Sequence, residues 1–137
     1  MNSMFGWIRE KIGFEAPKDL IALGAVELTE PGALDQVLAE SEQKPVFFFK
    51  HSTRCPISSA AYQRVADYLA EGNAGKVYLV KVIEARPLSN AIAERLNVKH
   101  ESPQVILVHR GKAVWHASHG DIDAPALRTA YEQATTR

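Results

Sequence analysis

The sequence predicts an α/β domain in which helices flank a central mixed β-sheet. Apolar runs that are too short for helices alternate along the chain with stretches whose apolar residues recur at helical spacing. The last two apolar runs are instead separated only by Arg110 and Gly111, which indicates a tight hairpin. Strands joined through helices pair in parallel, whereas hairpin strands pair antiparallel. The sheet is therefore expected to contain both strand directions.

Five short segments are predicted to be strands. In chain order they are AVEL (25–28), PVFFFKH (45–51), KVYLVKVI (76–83), QVILVH (104–109) and KAVWHAS (112–118). The second begins as an unbroken apolar run, which is typical of a strand buried on both faces. We expect the second, third and fourth segments to be the central strands. The order corresponds to βαβαββα with one extra strand, which we expect at the centre of the sheet.

Four helices are predicted between and after these strands. Apolar residues at helical spacing mark each of them. Three helices are expected to carry a proline in the first turn, namely Pro56, Pro87 and Pro125, since proline has no N–H to donate and a preset φ. Asp123 is the expected N-cap of the last helix.

The chain is predicted to have two parts. Residues 1–24 are assigned to an N-terminal helical arm and linker, and residues 25–137 to the α/β domain. The arm is predicted from apolar residues at helical spacing, namely Met4, Phe5, Ile8 and Ile12. Two interpretations stay open for it: an arm packed on its own domain, or a helix that docks on a partner or a membrane surface.

Composition limits the class of protein. The 137 residues include sixteen basic and sixteen acidic side chains, so net charge indicates no nucleic-acid partner. A single cysteine cannot form an internal disulfide, which suits a reducing compartment. No apolar run approaches the roughly twenty residues that span a bilayer, and nothing resembles a signal peptide. We therefore expect a cytoplasmic protein without a membrane span, whose oligomeric state stays open.

The candidate reactive group is Cys55, which falls where a predicted buried strand ends and a helix begins. Unpaired backbone N–H groups and the positive end of the helix dipole lie at such a junction and favour a thiolate. Pro56 fits the first helical position. Nearby cations and hydroxyl groups strengthen the same expectation, and they are Lys50, His51 and Arg54 with Ser52, Thr53 and Ser58.

Pro103 is the second candidate. It stands directly before an apolar strand and after a helix and loop. A cis peptide there would bring a backbone face towards the thiol. We therefore predict a cis bond between Ser102 and Pro103.

These residues carry a resemblance to a known family. The string KHSTRCPIS (50–58), a cysteine at a strand-to-helix junction and a proline before the next central strand closely resemble the YtxJ-type monothiol bacilliredoxins, which have a thioredoxin-like fold. The likeness covers roughly residues 26–131. It implies a monothiol thiol-disulfide oxidoreductase that removes bacillithiol, a low-molecular-weight thiol, from mixed disulfides on proteins.

The resemblance also implies roles for individual residues. Cys55 would be the attacking thiolate, cis Pro103 with Ser102 beside it would align the substrate backbone, and Ser58 would occupy the place of a resolving cysteine. Bacillithiol would be a co-substrate, and no tightly bound cofactor is expected. Bacillithiol carries carboxylates, so cationic side chains are candidates to hold it: Lys50, His51 and Arg54, with Lys99 and His100.

Two alternative functions remain at this point. A lone cysteine per subunit can hold a bridging iron–sulfur cluster together with an external thiol, as in monothiol glutaredoxins. The chain can also be a thioredoxin-like binding module without catalysis, if Cys55 is not activated. A metal site is not predicted, because the candidate histidines lack acidic or thiol ligands to complete a tetrahedral set; they are His109, His116 and His119.

Overall fold

The structure of the protein, a computed structural model, describes residues 17–136. The helix predicted over the first fifteen residues lies outside the described residues. The elements are β1 (Val26–Leu28), α1 (Ala33–Glu40), β2 (Val46–His51), α2 (Pro56–Ala70), β3 (Lys76–Lys81), α3 (Arg86–Leu96), β4 (Gln104–His109), β5 (Lys112–Ser118), a 3-10 turn (His119–Asp121) and α4 (Ala124–Thr135).

The five strands form one mixed sheet in the order β1-β3-β2-β4-β5. β1, β3 and β2 are parallel, whereas β4 is antiparallel to both β2 and β5. The predicted mixed sheet and its three central strands are therefore confirmed. Relative to the order βαβαββα, β1 is the extra strand, and its predicted place at the centre is wrong because β1 lies at an edge beside β3. It has only three residues, of which two are exposed, and a short exposed strand is suited to an edge, where one side stays unpaired.

The alternation of side chains along β2 builds two cores, one on each face of the sheet. Phe47 and Phe49 pack with α2 and α4, while Phe48 packs with α1 and α3. All three phenylalanines are 0% exposed. The run of three aromatic residues is thus explained by a central strand that is covered on both faces.

The predicted starts of the last three helices are confirmed, whereas the first helix begins at Ala33 after Gly32. Pro56, Pro87 and Pro125 each lie in the first turn of their helices. The carboxylate of Asp123 accepts a hydrogen bond of 2.9 Å from the N–H of Ala126, which caps α4.

The described end of the predicted linker packs on α2. Leu20 is fully buried in the core that α2 and α4 share, and its N–H donates to the Tyr62 hydroxyl at 3.0 Å. Residues before β1 therefore contribute to the core of the domain, and the division of the chain after residue 24 stays a prediction. Over residues 17–136, none of the helices has the length and apolar character needed to cross a membrane.

Candidate active site

Cys55 lies at the N-cap of α2, four residues after the end of β2. Its backbone is extended, with φ −115° and ψ 122°, and its side chain is half-buried. The Cys55 carbonyl accepts the first helical hydrogen bond from the N–H of Ser59 at 3.0 Å. The thiol is therefore held where the chain turns from strand to helix, and it remains partly open to solvent.

The start of α2 gives this thiol a positive electrostatic environment. Pro56 occupies the first helical position and has no N–H to donate. The N–H groups of Ile57 and Ser58 lie in the first turn, where helices have no internal acceptors. These N–H groups and the helix dipole favour a negative charge at the N-cap. Ile57 is also 55% exposed, so an apolar surface adjoins the thiol.

The side chain of Ser58 is buried, and its hydroxyl group is hydrogen-bonded to two neighbouring residues. The Oγ atom accepts a hydrogen bond of 2.9 Å from the N–H of Ser52 and lies 2.6 Å from Nδ1 of His51. Ser58 is the third residue of α2 and is 0% exposed. Its side chain thus ties the loop after β2 to the first turn of α2.

His51 stays neutral in this position. Burial lowers its pKa below the usual histidine value, and the charge of Lys81 lowers it further, while Glu84 and the contact with Ser58 act in the opposite direction. Its ring packs against Tyr62 at 5.0 Å and Phe49 at 5.6 Å between centroids. A neutral imidazole with an unprotonated Nδ1 can accept a hydrogen bond from the Ser58 hydroxyl.

Lys50 lies on the other face of the sheet. Side chains alternate along β2, so Lys50 follows Phe48 towards α3 while His51 follows Phe49 towards α2. Lys50 is 0% exposed, and its Nζ lies 3.1 Å from Nδ1 of His100. Burial lowers the pKa of Lys50 to about 8. Its ammonium is not accessible to a dissolved thiol in this conformation, although the sequence singles it out as a binding candidate.

The predicted cis bond between Ser102 and Pro103 is confirmed. These two residues precede β4, which begins at Gln104, and Gln104 pairs with Lys50 near the end of β2. The cis proline and the loop that bears Cys55 therefore lie at the same end of the sheet, where β2 ends and β4 begins. Pro103 is buried, and the buried Oγ of Ser102 has no hydrogen-bond partner within residues 17–136.

The remaining predicted site residues lie on the outer side of the loop. Thr53 and Arg54 are exposed. The Arg54 N–H donates to Ser52 Oγ over a long 3.4 Å, and its guanidinium forms no ion pair with any residue of the described chain. Thr53 Oγ1 lies 3.5 Å from a carboxylate oxygen of Glu84. Arg54 is thus the cation that a soluble ligand can reach beside Cys55.

The structure adds site residues that the sequence did not indicate. Glu84 follows β3 and lies near both His51 and Thr53. Ser89 of α3 places its Oγ 3.4 Å from Nδ1 of His100. Ser89 could have been noticed in the sequence, because it is a polar residue among the apolar positions Leu88 and Ile92 of a predicted helix. Nothing in the sequence around Glu84 distinguishes it from an ordinary surface carboxylate.

Metal ligation has no candidate cluster in the part of the chain that is described. From residue 17 to residue 136, no three His, Cys, Asp or Glu side chains come together as a metal site would require. Cys55 is the single cysteine of the whole sequence. The chemistry that this arrangement offers is nucleophilic attack by one thiolate at a helix start.

The fold and this thiol define a class of protein, a thioredoxin-fold thiol oxidoreductase with one active-site sulfur. Residues 26–127 match the family described as monothiol bacilliredoxin BrxC, and the chain belongs to that family. Among solved structures it is similar to a thioredoxin-fold protein named as a candidate oxidoreductase, with 40% sequence identity and a TM-score of 0.70 over 77% of this chain and 92% of that one.

More distant solved structures share the fold alone. A mutant thioredoxin from Halobacterium salinarum is 21% identical, with a TM-score of 0.65 over 90% of this chain and 96% of that chain. Thioredoxin from Trypanosoma brucei brucei is 14% identical, with a TM-score of 0.66 over 83% of this chain and 93% of that chain. The predicted thioredoxin-like fold is therefore confirmed.

Proposed function

We propose that the protein removes bacillithiol from mixed disulfides on other proteins, as a YtxJ-type monothiol bacilliredoxin of the cytoplasm. One observation carries this proposal. Cys55 is partly exposed at the N-cap of α2, and the third helical position, where a second thiol would close an internal disulfide, holds Ser58, whose hydroxyl is hydrogen-bonded to His51 and Ser52. The site therefore has an attacking sulfur but no resolving sulfur.

The reaction consists of two thiol-disulfide exchanges. The Cys55 thiolate attacks the bacillithiol sulfur of the mixed disulfide, a new S–S bond forms, and the protein substrate leaves as a thiolate that takes a proton from solvent. A second bacillithiol thiolate then attacks the bacillithiol sulfur on Cys55. This step releases oxidised bacillithiol and restores the Cys55 thiolate, so one free bacillithiol is consumed for each protein thiol that is released.

The surroundings of Cys55 support two kinds of contact. Ile57 is exposed beside the thiol and offers an apolar contact to a protein substrate. The segment with Ser102 and cis Pro103 lies at the same end of the sheet, and its backbone can align the substrate chain. Arg54 is exposed next to Cys55 and can pair with a carboxylate of bacillithiol.

Intact mass spectrometry of the full chain tests this function. With a bacillithiolated protein and no free bacillithiol, we expect one bacillithiol adduct per chain to accumulate, and turnover to start once bacillithiol is added. Cys55→Ser should form no adduct. Oxidised glutathione, supplied separately, shows whether the site selects bacillithiol. Repeated turnover without any outside thiol, or activity in Cys55→Ser, would contradict the proposal.

The two alternative functions give different results in the same preparation. Brown protein with iron and sulfide bound after purification would indicate a cluster carrier. Absence of any adduct, with an ordinary rate of Cys55 alkylation, would indicate a binding module.

A further inference from the structure

A buried lysine and a histidine connect β2 to the loop that bears the cis proline. We define the proline loop as residues 99–103, which lie between α3 and β4 and end directly before β4. Lys50 Nζ lies 3.1 Å from Nδ1 of His100 in this loop. The lysine is fully buried, while His100 has an exposed side chain. The contact therefore joins the core of the sheet to a surface loop.

The contact with His100 is the main compensation for burying the charged ammonium group of Lys50. Burying an ammonium without a counter-ion is unfavourable, and Lys50 forms no ion pair with a carboxylate anywhere in residues 17–136. Its acceptor is the lone pair of a neutral imidazole. A methionine or leucine would fill the same core position without this cost, so stability of the sheet alone does not account for lysine here.

β4, which pairs with β2, holds Lys99, the residue beside His100 in the proline loop. Gln104 lies directly opposite Lys50 in the antiparallel register, and its Nε2 donates to the carbonyl of Lys99 at 3.0 Å. Ser89 Oγ on α3 approaches Nδ1 of His100 at 3.4 Å. Lys99 and His100 are thus both held from the sheet, four and three residues before the cis proline.

We propose that Lys50 and His100 are positioning residues that fix the proline loop, and through it the backbone of Ser102 and Pro103 against which a bacillithiolated protein lies. The inference rests on the proposed function for its substrate. It assigns Lys50 to alignment of the protein substrate, and not to contact with the small thiol. The reacting sulfur atoms are touched by neither residue.

The Lys50–His100 contact depends on pH, because it requires a neutral imidazole at His100. His100 is faced by Lys50 from β2, by Ser89 and Arg86 from α3, and by Glu101 in its own loop. Burial lowers the pKa of His100, and Lys50 and Arg86 lower it further, while Glu101 raises it. Protonation of His100 would remove the acceptor and set two cations together. We therefore expect alignment to weaken in acid and to be retained at neutral pH.

Steady-state kinetics of the full chain test the proposal with three variants. In Lys50→Met and His100→Ala, KM for a bacillithiolated protein should rise about tenfold, which corresponds to the loss of one hydrogen bond to a charged group. The rate of Cys55 alkylation by iodoacetamide should stay within about twofold, because this small probe does not use the loop. His100→Gln should keep KM near the wild-type value, since its amide oxygen can accept from Lys50. His116→Gln, on β5, is the matched control.

Two outcomes would overturn the proposal. One is an unchanged KM in both Lys50→Met and His100→Ala. The other is a parallel loss of alkylation and turnover, which would indicate a general structural role. The KM of the wild-type protein should also rise as the solution is made acidic enough to protonate His100, whose pKa is lowered by burial, and that of His100→Gln should not.

A second measurement separates this inference from the proposed function. If the wild-type protein does not act on bacillithiolated proteins, the proposed function fails, and amide hydrogen exchange still tests the positioning. Exchange at residues 100–102 should be faster in Lys50→Met and His100→Ala than in the wild type and His100→Gln. Equal exchange in all four proteins would refute the role of the Lys50–His100 contact.

Discussion

The hydroxyl oxygen of Ser58 lies 2.6 Å from Nδ1 of His51. Because the same oxygen already accepts the N–H of Ser52, the Ser58 proton is best donated to the histidine. The hydroxyl is therefore not available at the same time to stabilise a Cys55 thiolate. The N–H groups in the first turn of α2 remain the donors that the helix offers to a negative charge at its N-cap. Ser58 instead shapes the loop that presents the thiol.

Replacing Ser58 by Ala should destabilise the protein. The change would leave the Ser52 N–H and His51 Nδ1 without their partner in a position that is 0% exposed. An unsatisfied buried polar group costs about 1–3 kcal/mol, so the free energy of unfolding in urea should fall by about that amount. Ser59→Ala, at the next and exposed helical position, is the control and should change it by less than about 0.5 kcal/mol. Equal effects of the two changes would contradict the assigned role.

Replacing Ser58 by Cys should change the reaction product. Residues at the N-cap and third position of a helix are close enough for a disulfide. The introduced thiolate can attack Cys55 Sγ and expel bacillithiol, which leaves an internal disulfide. Intact mass should then show a species about 2 Da lighter than the reduced chain in place of the adduct. Ser59→Cys supplies a second thiol at an exposed position and should keep the adduct. An adduct that persists in Ser58→Cys would mean that the introduced sulfur cannot reach Cys55.

Much of this site was predictable from a local string, because its chemistry depends on local structure. A buried strand followed by a cysteine and a proline places the thiol at a helix start, and the structure has Cys55 and Pro56 in those positions. The cis bond before Pro103 was predicted from the place of the proline ahead of a central strand together with the family resemblance.

The separation of Lys50 from His51 shows what the sequence could not give. Both belong to the same charged string, but alternation along β2 sends them to opposite faces, and burial makes Lys50 inaccessible. Its contact with His100 joins residues that are fifty positions apart, so only the fold brings them together. The wrong prediction for the place of the extra strand has a related cause, because strand order is set by packing of whole elements.

Removing the charge of Arg54 should weaken binding of bacillithiol more than it affects Cys55 itself. Arg54 is exposed next to the thiol, and exposed ion pairs contribute about 0.2–1 kcal/mol. KM for bacillithiol should therefore rise up to about fivefold in Arg54→Gln at low salt, and the difference should shrink at about 1 M salt. Lys112→Gln changes an exposed cation at the far end of β4 and β5 and should leave KM unchanged. An equal KM in Arg54→Gln and wild type at low salt would remove Arg54 from the binding site.

Lys50 should make the stability of the protein rise with pH in the alkaline range. Its pKa is lowered from 10.5 to about 8 in the folded protein, so the unfolded chain binds more protons than the folded one between these values. Stability therefore increases as pH rises from about 8 to about 10.5, and the penalty for the buried charge is complete below about 8. The gain is up to about 3 kcal/mol.

Urea unfolding of wild-type protein and Lys50→Met across this range isolates the effect from other titrating groups. Methionine carries no charge into the core, so the variant should be at least as stable as the wild type at pH 7, and its advantage should diminish towards pH 10.5. Lys44→Met, at an exposed position, should track the wild type throughout. A constant difference between Lys50→Met and wild type over this range would mean that burial does not lower the pKa of Lys50 in the folded protein. A variant that gains stability at pH 7 and still loses affinity for its protein substrate would show that Lys50 serves alignment at the expense of stability.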